Sequence, residues 1–351
     1  MKIIHTADLH IGGPLQGLPK HKADLRKAEL LDGVKKLCDY ARATDVSAVI
    51  IAGDLFDIKG VETRLKKEIF SLFASAPQTN FYCIFGNHDG ETDIAEFQPN
   101  NFYTFSKAHG FFSYDLGGNV TLTGCDRRYF SPDFPLLDKN AFNIVTLHGE
   151  LGKDIPLESV REKHIDYLAL GHIHKPMPAK EKLDSRGYYR YSGCLEGRGF
   201  DETGARGFFL LEMEKGRIKE EKFLSFSTRK IERVEVDITG CESYYDIERK
   251  ALDALVFLPS SDMVKLVLCG TFTPTLKKDL ALLTSRLLEK FFFVKVEDQS
   301  KLYVDYRAYE TDKTERGEFV REVGRYEMDE DLRAEILEVG LKALGGEEID
   351  L

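Results

Sequence analysis

Short apolar runs and longer amphipathic stretches alternate through the first two-thirds of the chain. The runs "KIIHTA", "VSAVIIA", "NFYCIF", "FNIVTL" and "DYLAL" are of strand length and rich in β-branched and aromatic residues. Between them, 21–43 and 62–74 read as helices, and in the first Leu25, Ala28, Leu31, Val34, Leu37 and Cys38 recur at helical spacing. Beyond "GHIHKP" the pattern turns β-rich, with "GYYRYSG", "GARGFFLLEM" and "GRIKEEKFLSF" as hairpin strands. The order predicts an α/β layered domain over residues 1–228. A second unit is expected over 229–310, where "KIERVEVDI", a helix at 243–255, "DMVKLVLCG", a helix at 276–291 and "FFVKVED" make a β-α-β-α-β order. Residues 311–351 are charged and helical and end in an acidic tail. Phe319, Val320, Val323, Leu332, Ile336, Val339 and Leu341 form an apolar stripe there, suited to a partner's groove or to closing on the unit before it.

The length of 351 residues exceeds that of one ordinary domain, and a chain that is 42% hydrophobic and 31% charged has enough apolar material for a sizeable core. No apolar stretch approaches the roughly 20 residues that span a bilayer, and the N-terminus is too polar for a secretory signal. The expectation is a cytoplasmic protein with no membrane contact. Six scattered cysteines without a C-x-x-C pair fit reduced, buried thiols. The net charge of −10 argues against a generally basic nucleic-acid binder, although bound cations can reverse the sign locally.

Five apolar runs end on reactive side chains. "TADLH" carries Asp8 and His10, "AGDLFD" carries Asp54 and Asp57, and "FGNHD" carries Asn87, His88 and Asp89. "LHGE" carries His148, and "LGHIH" carries His172 and His174. The carboxyl edge of such strands is where α/β sheets bind ligands. Each fragment alone is common, but five in order, each after its own strand, describe a site. Asp8, His10, Asp54, Asn87, His148, His172 and His174 form an oxygen and imidazole set suited to two divalent metal ions such as manganese, iron or zinc, with magnesium as a further option. Residues two apart in an extended segment share a face. Asp8 and His10 are therefore expected to share one ion, and His172 and His174 to reach two ions about 3.5–4 Å apart. Asp54 is the natural bridge, and the neutral Asn87 leaves the site net positive and attractive to phosphate.

His88 is the candidate to protonate a leaving oxygen or hold the scissile phosphate, because its unperturbed pKa lies near working pH. Asp57 or Asp89 would orient it or a ligand imidazole. Arg198, Lys175 and Arg128 are the leading phosphate contacts, with Arg127, Arg186, Arg190 and Arg206 also near the motifs in sequence. Of the remaining histidines, His5 is expected to pack beside the site, and His21, His109 and His164 to lie on the surface or in helices.

The five fragments "DLH", "GDLFD", "GNHD", "LHGE" and "GHIH" resemble the signature of the calcineurin-like metallophosphoesterases across residues 1–175. A narrower resemblance, through "HTADLHIG", "ALGHIHKP" and "YSGCLEGRGFDETGARGFFLLEM", is to the SbcD-type DNA repair exonucleases and covers about 1–310. The resemblance implies a layered β-sandwich flanked by helices, a small capping domain, and C-terminal helices as an ATPase-docking region. It also implies a manganese-dependent nuclease acting on DNA, partnered with an SMC-like ATPase of the SbcC type, with a homodimer as a further option. Cys194 stands where serine is common, and Asp57 where some family nucleases carry a histidine that assists catalysis. Two other readings are kept: a phosphodiesterase or phosphomonoesterase on nucleotides or small phosphates, and a catalytically silent scaffold subunit.

Overall fold

In the first strand, Lys2–Thr6, alternate residues serve two different cores: Ile3 and His5 face one side and Ile4 the other, all fully buried. A strand buried on both faces belongs inside a layered structure, and the computed structural model shows those layers. It describes the chain except for residues 14, 16, 58–60, 90–93, 95, 106–109 and 346–351, and it divides into two compact units, Met1–Lys230 and Ile231–Leu351.

The first unit is a sandwich of two six-stranded sheets. Its strands are β1 (Lys2–Thr6), β2 (Val46–Ala52), β3 (Asn80–Ile84), β4 (Phe102–Thr104), β5 (Phe112–Gly117), β6 (Val120–Gly124), β7 (Phe142–His148), β8 (Tyr167–Gly171), β9 (Glu181–Lys182), β10 (Tyr188–Tyr191), β11 (Gly207–Glu214) and β12 (Arg217–Ser225). One sheet runs β12-β11-β1-β2-β3-β4 and the other β5-β6-β7-β8-β10-β9. In each, four neighbouring strands are parallel: β1 to β4 in the first, and β6, β7, β8 and β10 in the second. Ile3, Ala48, Ile50 and Ile84 meet Leu122, Ile144, Tyr167 and Ala169 between the sheets. Helices α1 (Lys20–Ala43) and α2 (Thr63–Ala74) cover the outer face of the first sheet through Val34, Leu37, Ile69, Phe70 and Phe73. A single helical turn, α3 (Leu157–Val160), precedes β8.

The buried face of α1 differs from the expected one. Leu25 is exposed, and the inner stripe runs Arg26, Leu30, Gly33, Val34, Leu37, Cys38 and Ala41. Buried Arg26 is held by Glu29, by Glu196 at 3.2 Å and by the Gly197 carbonyl at 2.6 Å, so its charge is matched inside the fold. The short strands β4 to β6 are not predicted by the apolar pattern, because β4 is brief and exposed β5 lacks the character that marks a core strand.

The second unit contains, in chain order, β13 (Ile231–Asp237), α4 (Tyr244–Leu255), β14 (Met263–Cys269), β15 (Thr271–Phe272), α5 (Leu280–Leu288), β16 (Phe293–Asp298) and β17 (Lys301–Leu302). The three longer strands form one parallel sheet in the order β13-β14-β16, and β15 pairs with β17 in a small ladder of its own. After α6 (Tyr306–Tyr309), helices α7 (Glu315–Gly324) and α8 (Glu330–Leu344) complete the unit. Val320, Val323, Leu337 and Leu341 join the same core as Leu266, Leu268, Leu283 and Leu287, while Leu332 and Val339 stay exposed. No helix among the described residues is long and apolar enough to cross a membrane.

Candidate metal centre

The parallel strands of both sheets release their ligand-bearing segments at one edge. Directly past β1, β2 and β8 the chain leaves extended geometry: Asp8, His10, Asp54 and His172 all have positive φ, at 53°, 45°, 52° and 95°. Such conformations are uncommon for residues with a Cβ, and clusters of them mark functional sites. Asp8 and His10 do reach one pocket, but through tight left-handed turns rather than through strand alternation. Two glycines are sterically required. A Cβ on Gly53 would lie 2.2 Å from His148 Nδ1, and one on Gly86 would lie 2.1 Å from Asp54 Oδ1.

All seven donors named from the sequence are brought together, and acidic and imidazole donors among them fall into two groups that share Asp8. Asp8, His10 and His174 form one group, and Asp8, Asp54 and His148 another. His10 Nε2 lies 3.1 Å from His174 Nε2 and 3.6 Å from Asp54 Oδ2. On the other side, His148 Nε2 lies 3.2 Å from Asp54 Oδ2 and 3.0 Å from Asn87 Oδ1, which is also 3.2 Å from His172 Nδ1. His148 is aimed by its other nitrogen, which donates to the Ala52 carbonyl at 2.8 Å. The backbone N–H groups of His88 and His172 donate to Asp54 and Asp8 respectively, fixing both carboxylates.

The electrostatics fit a cation pair. Burial drives Asp8 up to about 6. Burial also pushes Asp54 upward, but the hydrogen bond and charge of His148 hold it at about 2. Burial and the Arg198 charge drive His10 down to about 2, so it is a neutral donor and its approaches to Asp54 and Asp57 are not ion pairs. Like His174, whose pKa the Glu202 hydrogen bond raises against burial, His148 runs the other way. Burial lowers it, yet the Asp54 hydrogen bond and the Asp8 charge raise it to about 9, so a proton on His148 stands where a cation would. His10 Nδ1 has no hydrogen-bond partner among the described residues. Imidazoles and buried carboxylates facing one space are what divalent cations require, with protons released as they bind.

The family model for calcineurin-like phosphoesterases matches residues 1–176. The chain belongs to the calcineurin-like phosphoesterases. It is 28% identical over 307 residues to the uncharacterized metallophosphoesterase YhaO of Bacillus subtilis, covering 77% of this chain and 72% of that one. It is 27% identical over 293 residues to the SbcD component of the nuclease SbcCD of Staphylococcus saprophyticus, covering 67% and 72%. A third relative is the DNA double-strand break repair protein Mre11 of Methanopyrus kandleri, 26% identical over 289 residues. That alignment covers 67% of this chain and 59% of the archaeal protein.

Around this phosphoesterase site the remaining expected residues divide. Asp57 Oδ1 is 3.5 Å from His88 Nδ1, and its Oδ2 is 3.7 Å from His10 Nδ1 and from Arg198 Nη1. Asp57 thus lies between His88, His10 and Arg198, and His88 is half-exposed toward solvent. Asp89 takes a different part: its oxygens accept the N–H of Phe56 and of Gly86, at 2.7 and 2.8 Å, which shapes the loop carrying Asn87. Arg198 reaches the cluster, with Nη2 3.4 Å from His174 Nδ1. Lys175 and Arg128 are exposed, the latter over the Tyr129 ring. Arg186 and Arg190 are committed elsewhere, to Asp166 and Glu221, and Arg206 is buried too deeply to meet substrate. Arg127 donates to the His148 carbonyl and pairs with Asp154. His5 is a packed neighbour: Nε2 donates to the Leu170 carbonyl and Nδ1 accepts from Tyr167, linking the two sheets. His21 is exposed on α1, His164 is half-buried against the Leu137 carbonyl, and His109 lies outside the described residues.

Two further residues reach the site beyond those expected from the sequence. Glu202 Oε1 lies 2.5 Å from His174 Nδ1, and its Oε2 accepts the Arg198 N–H at 2.7 Å. Asp154 Oδ2 is 3.6 Å from His172 Nε2. Glu202 stands within "YSGCLEGRGFDETGARGFFLLEM" and Asp154 in the loop after "LHGE", but neither is marked by spacing, so only the fold shows which histidines they meet.

Proposed function

We propose that this chain is a two-metal phosphodiesterase, and specifically a manganese-dependent DNA exonuclease subunit that works with an SMC-like ATPase in the cytoplasm. The observation that carries the metal reading is the placement of buried Asp54 within reach of imidazoles from both donor sets. The DNA and ATPase parts rest on the similarity to the SbcD component of a nuclease and to Mre11, a double-strand break repair protein. A pair of divalent cations, when bound, polarises a phosphoryl oxygen and lowers the pKa of a water that attacks it.

The protein's own groups then have definite tasks. Asp8, His10, Asp54 and His174 hold one position, and Asp54, Asn87, His148 and His172 the other. Glu202 and the Ala52 carbonyl fix the rings of His174 and His148. The Arg198 guanidinium, partly exposed beside Asp57, draws a phosphodiester oxygen toward the cluster. His88, with Nδ1 facing Asp57, presents its other nitrogen to protonate the departing oxygen.

End-labelled single- and double-stranded DNA, incubated with manganese with and without an SbcC-type ATPase, tests this reading. Manganese-dependent shortening from an end is expected. Cleavage of a small model diester without DNA degradation favours the small-phosphate alternative, and bound metal without turnover favours the scaffold. His88→Asn should retain both metals and lose turnover.

A further inference from the structure

The first unit has a second concave site at the opposite ends of its strands. The segments leading into β7, β8 and β10 meet the β11–β12 hairpin around a depression of about 740 Å³, within the range of small-molecule sites, about 300–1,000 Å³. Its lining holds five cations, Lys139, Lys180, Arg186, Lys215 and Arg217, and a single acid, Asp166. In a chain of net charge −10 that local excess is unusual.

The acids nearby are already engaged. Asp166 accepts Arg186 Nε and Nη2 at 3.0 and 2.8 Å and the Asn143 N–H at 2.8 Å. Glu221 is shared by Arg190, the Tyr188 hydroxyl and Lys180. Asp138 accepts the Asn140 N–H, Asp184 the N–H groups of Arg186 and Gly187, and Glu214 pairs with Lys219. Lys139, Lys215 and Arg217 are exposed and have no ion-pair partner among the described residues.

Hydrogen bonds also tie the rim together. Arg186 Nη1 and Nη2 donate to the carbonyls of Lys139 and Ala141 at 2.9 and 2.7 Å, and Asn119 donates to the Asn140 carbonyl at 2.7 Å. The hairpin turn is a two-residue one between Glu214 and Arg217, with φ of 51° at Lys215 and 70° at Gly216. Asn, Asp or Gly adopts the first of these positions more readily than lysine does. The turn therefore holds a cation at the rim against backbone preference, and such an outlier points toward function.

We propose that this depression binds a compact, multiply charged phosphate ligand, a polyphosphate chain either free or carried by a nucleoside. Point cations from separate loops suit several phosphoryl groups. On its flanks Lys180 and Arg190 are paired with Glu221 and Lys219 with Glu214, which concentrates the unpaired charge on Lys139, Lys215 and Arg217. The site is separate from the metal edge, and the proposal does not depend on the metal reading.

The test is calorimetric titration of the full chain, stripped of metal by chelator, with inorganic triphosphate, ATP and sulfate in parallel. Saturable binding of triphosphate or ATP is expected. The triple variant Lys139→Ala, Lys215→Asn, Arg217→Ala should bind at least ten-fold more weakly with an unchanged melting temperature, since asparagine keeps the turn. ATP binding more tightly than triphosphate identifies a nucleotide as the ligand, and equal affinities identify the phosphate chain alone. Absence of saturation, equal affinity of variant and parent, or equal competition by sulfate overturns the proposal.

Discussion

Both units place aspartates at the ends of parallel strands, yet the two sets have opposite surroundings. In the second unit Asp237 is exposed and accepts the Thr239 N–H at 2.8 Å, and bonding to Thr239 lowers its pKa. Asp298 accepts the Ser300 N–H at 3.0 Å and pairs with Lys278 at 2.6 Å. Burial pushes Asp298 up, but Lys278 and Ser300 more than offset it and its pKa is lowered. In the first unit Asp8 and Asp54 are each 1% exposed, sit on left-handed backbone, and share their space with imidazoles rather than with a lysine or arginine of their own. A strand-end carboxylate is thus an ordinary turn device when its charge is met locally. It becomes a cation ligand when the fold buries it among nitrogen and oxygen donors and supplies no lysine or arginine as counter-charge.

The largest effect should come from exchanging one carboxylate in each setting. Asp54→Asn removes the charge shared by both donor sets and is expected to lose bound divalent metal and reduce phosphodiester hydrolysis to background. Asp237→Asn still offers an oxygen to Thr239 and should keep parental metal content and melting temperature. Metal content measured by atomic emission, with circular dichroism as the check on folding, decides this. Full metal retention in Asp54→Asn would break the contrast.

The donor set is legible in the sequence because the seven ligands follow five apolar runs, and the runs fold as β1, β2, β3, β7 and β8. The local geometry is not. Positive φ at Asp8, His10 and His172 is permitted by these residue types but not dictated by them, so strand alternation supplies the right pocket for the wrong reason. The exposed strand β5 and buried Arg26 escape a reading of the pattern because each departs from the hydrophobic character that marks cores. Arg186 and Arg190 lie close to the motifs in sequence, but long-range partners in other strands and loops hold them elsewhere. Glu202 shows the converse: only folding brings it to His174, 28 positions away in sequence.

Glu202 sharpens the comparison, because it is a buried carboxylate that has a partner but is not itself a ligand. Burial pushes it upward, yet the His174 hydrogen bond and the Arg198 charge hold it at about 2, so it is ionised and aims the ring. Glu202→Gln should lower manganese affinity by about 10- to 100-fold, read by titration against the manganese resonance, with little change in melting temperature. Glu202→Asp should recover part of the loss. Unchanged affinity in Glu202→Gln, with the parent binding manganese normally, would reduce Glu202 to a loop anchor.

Asp126 supplies the smallest and cleanest case, a buried strand-end carboxylate outside the donor set. It follows β6, its Oδ1 accepts the Phe85 N–H at 2.8 Å, and its Oδ2 has no hydrogen-bond partner among the described residues. Burial raises it from 3.8 to about 6. Between these values the folded state holds more protons than the unfolded one, so ionising Asp126 removes stability as pH rises through 4 to 6, and the loss is complete above that window. Asp126→Asn keeps the acceptor for Phe85 and stays neutral at every pH. Its stability relative to the parent should therefore increase by about 2 kcal/mol between about pH 4 and about pH 7.5, measured by urea unfolding with chelator present. A difference that stays flat with pH would show that Asp126 meets a counter-charge, and that burial without one is confined to the metal edge.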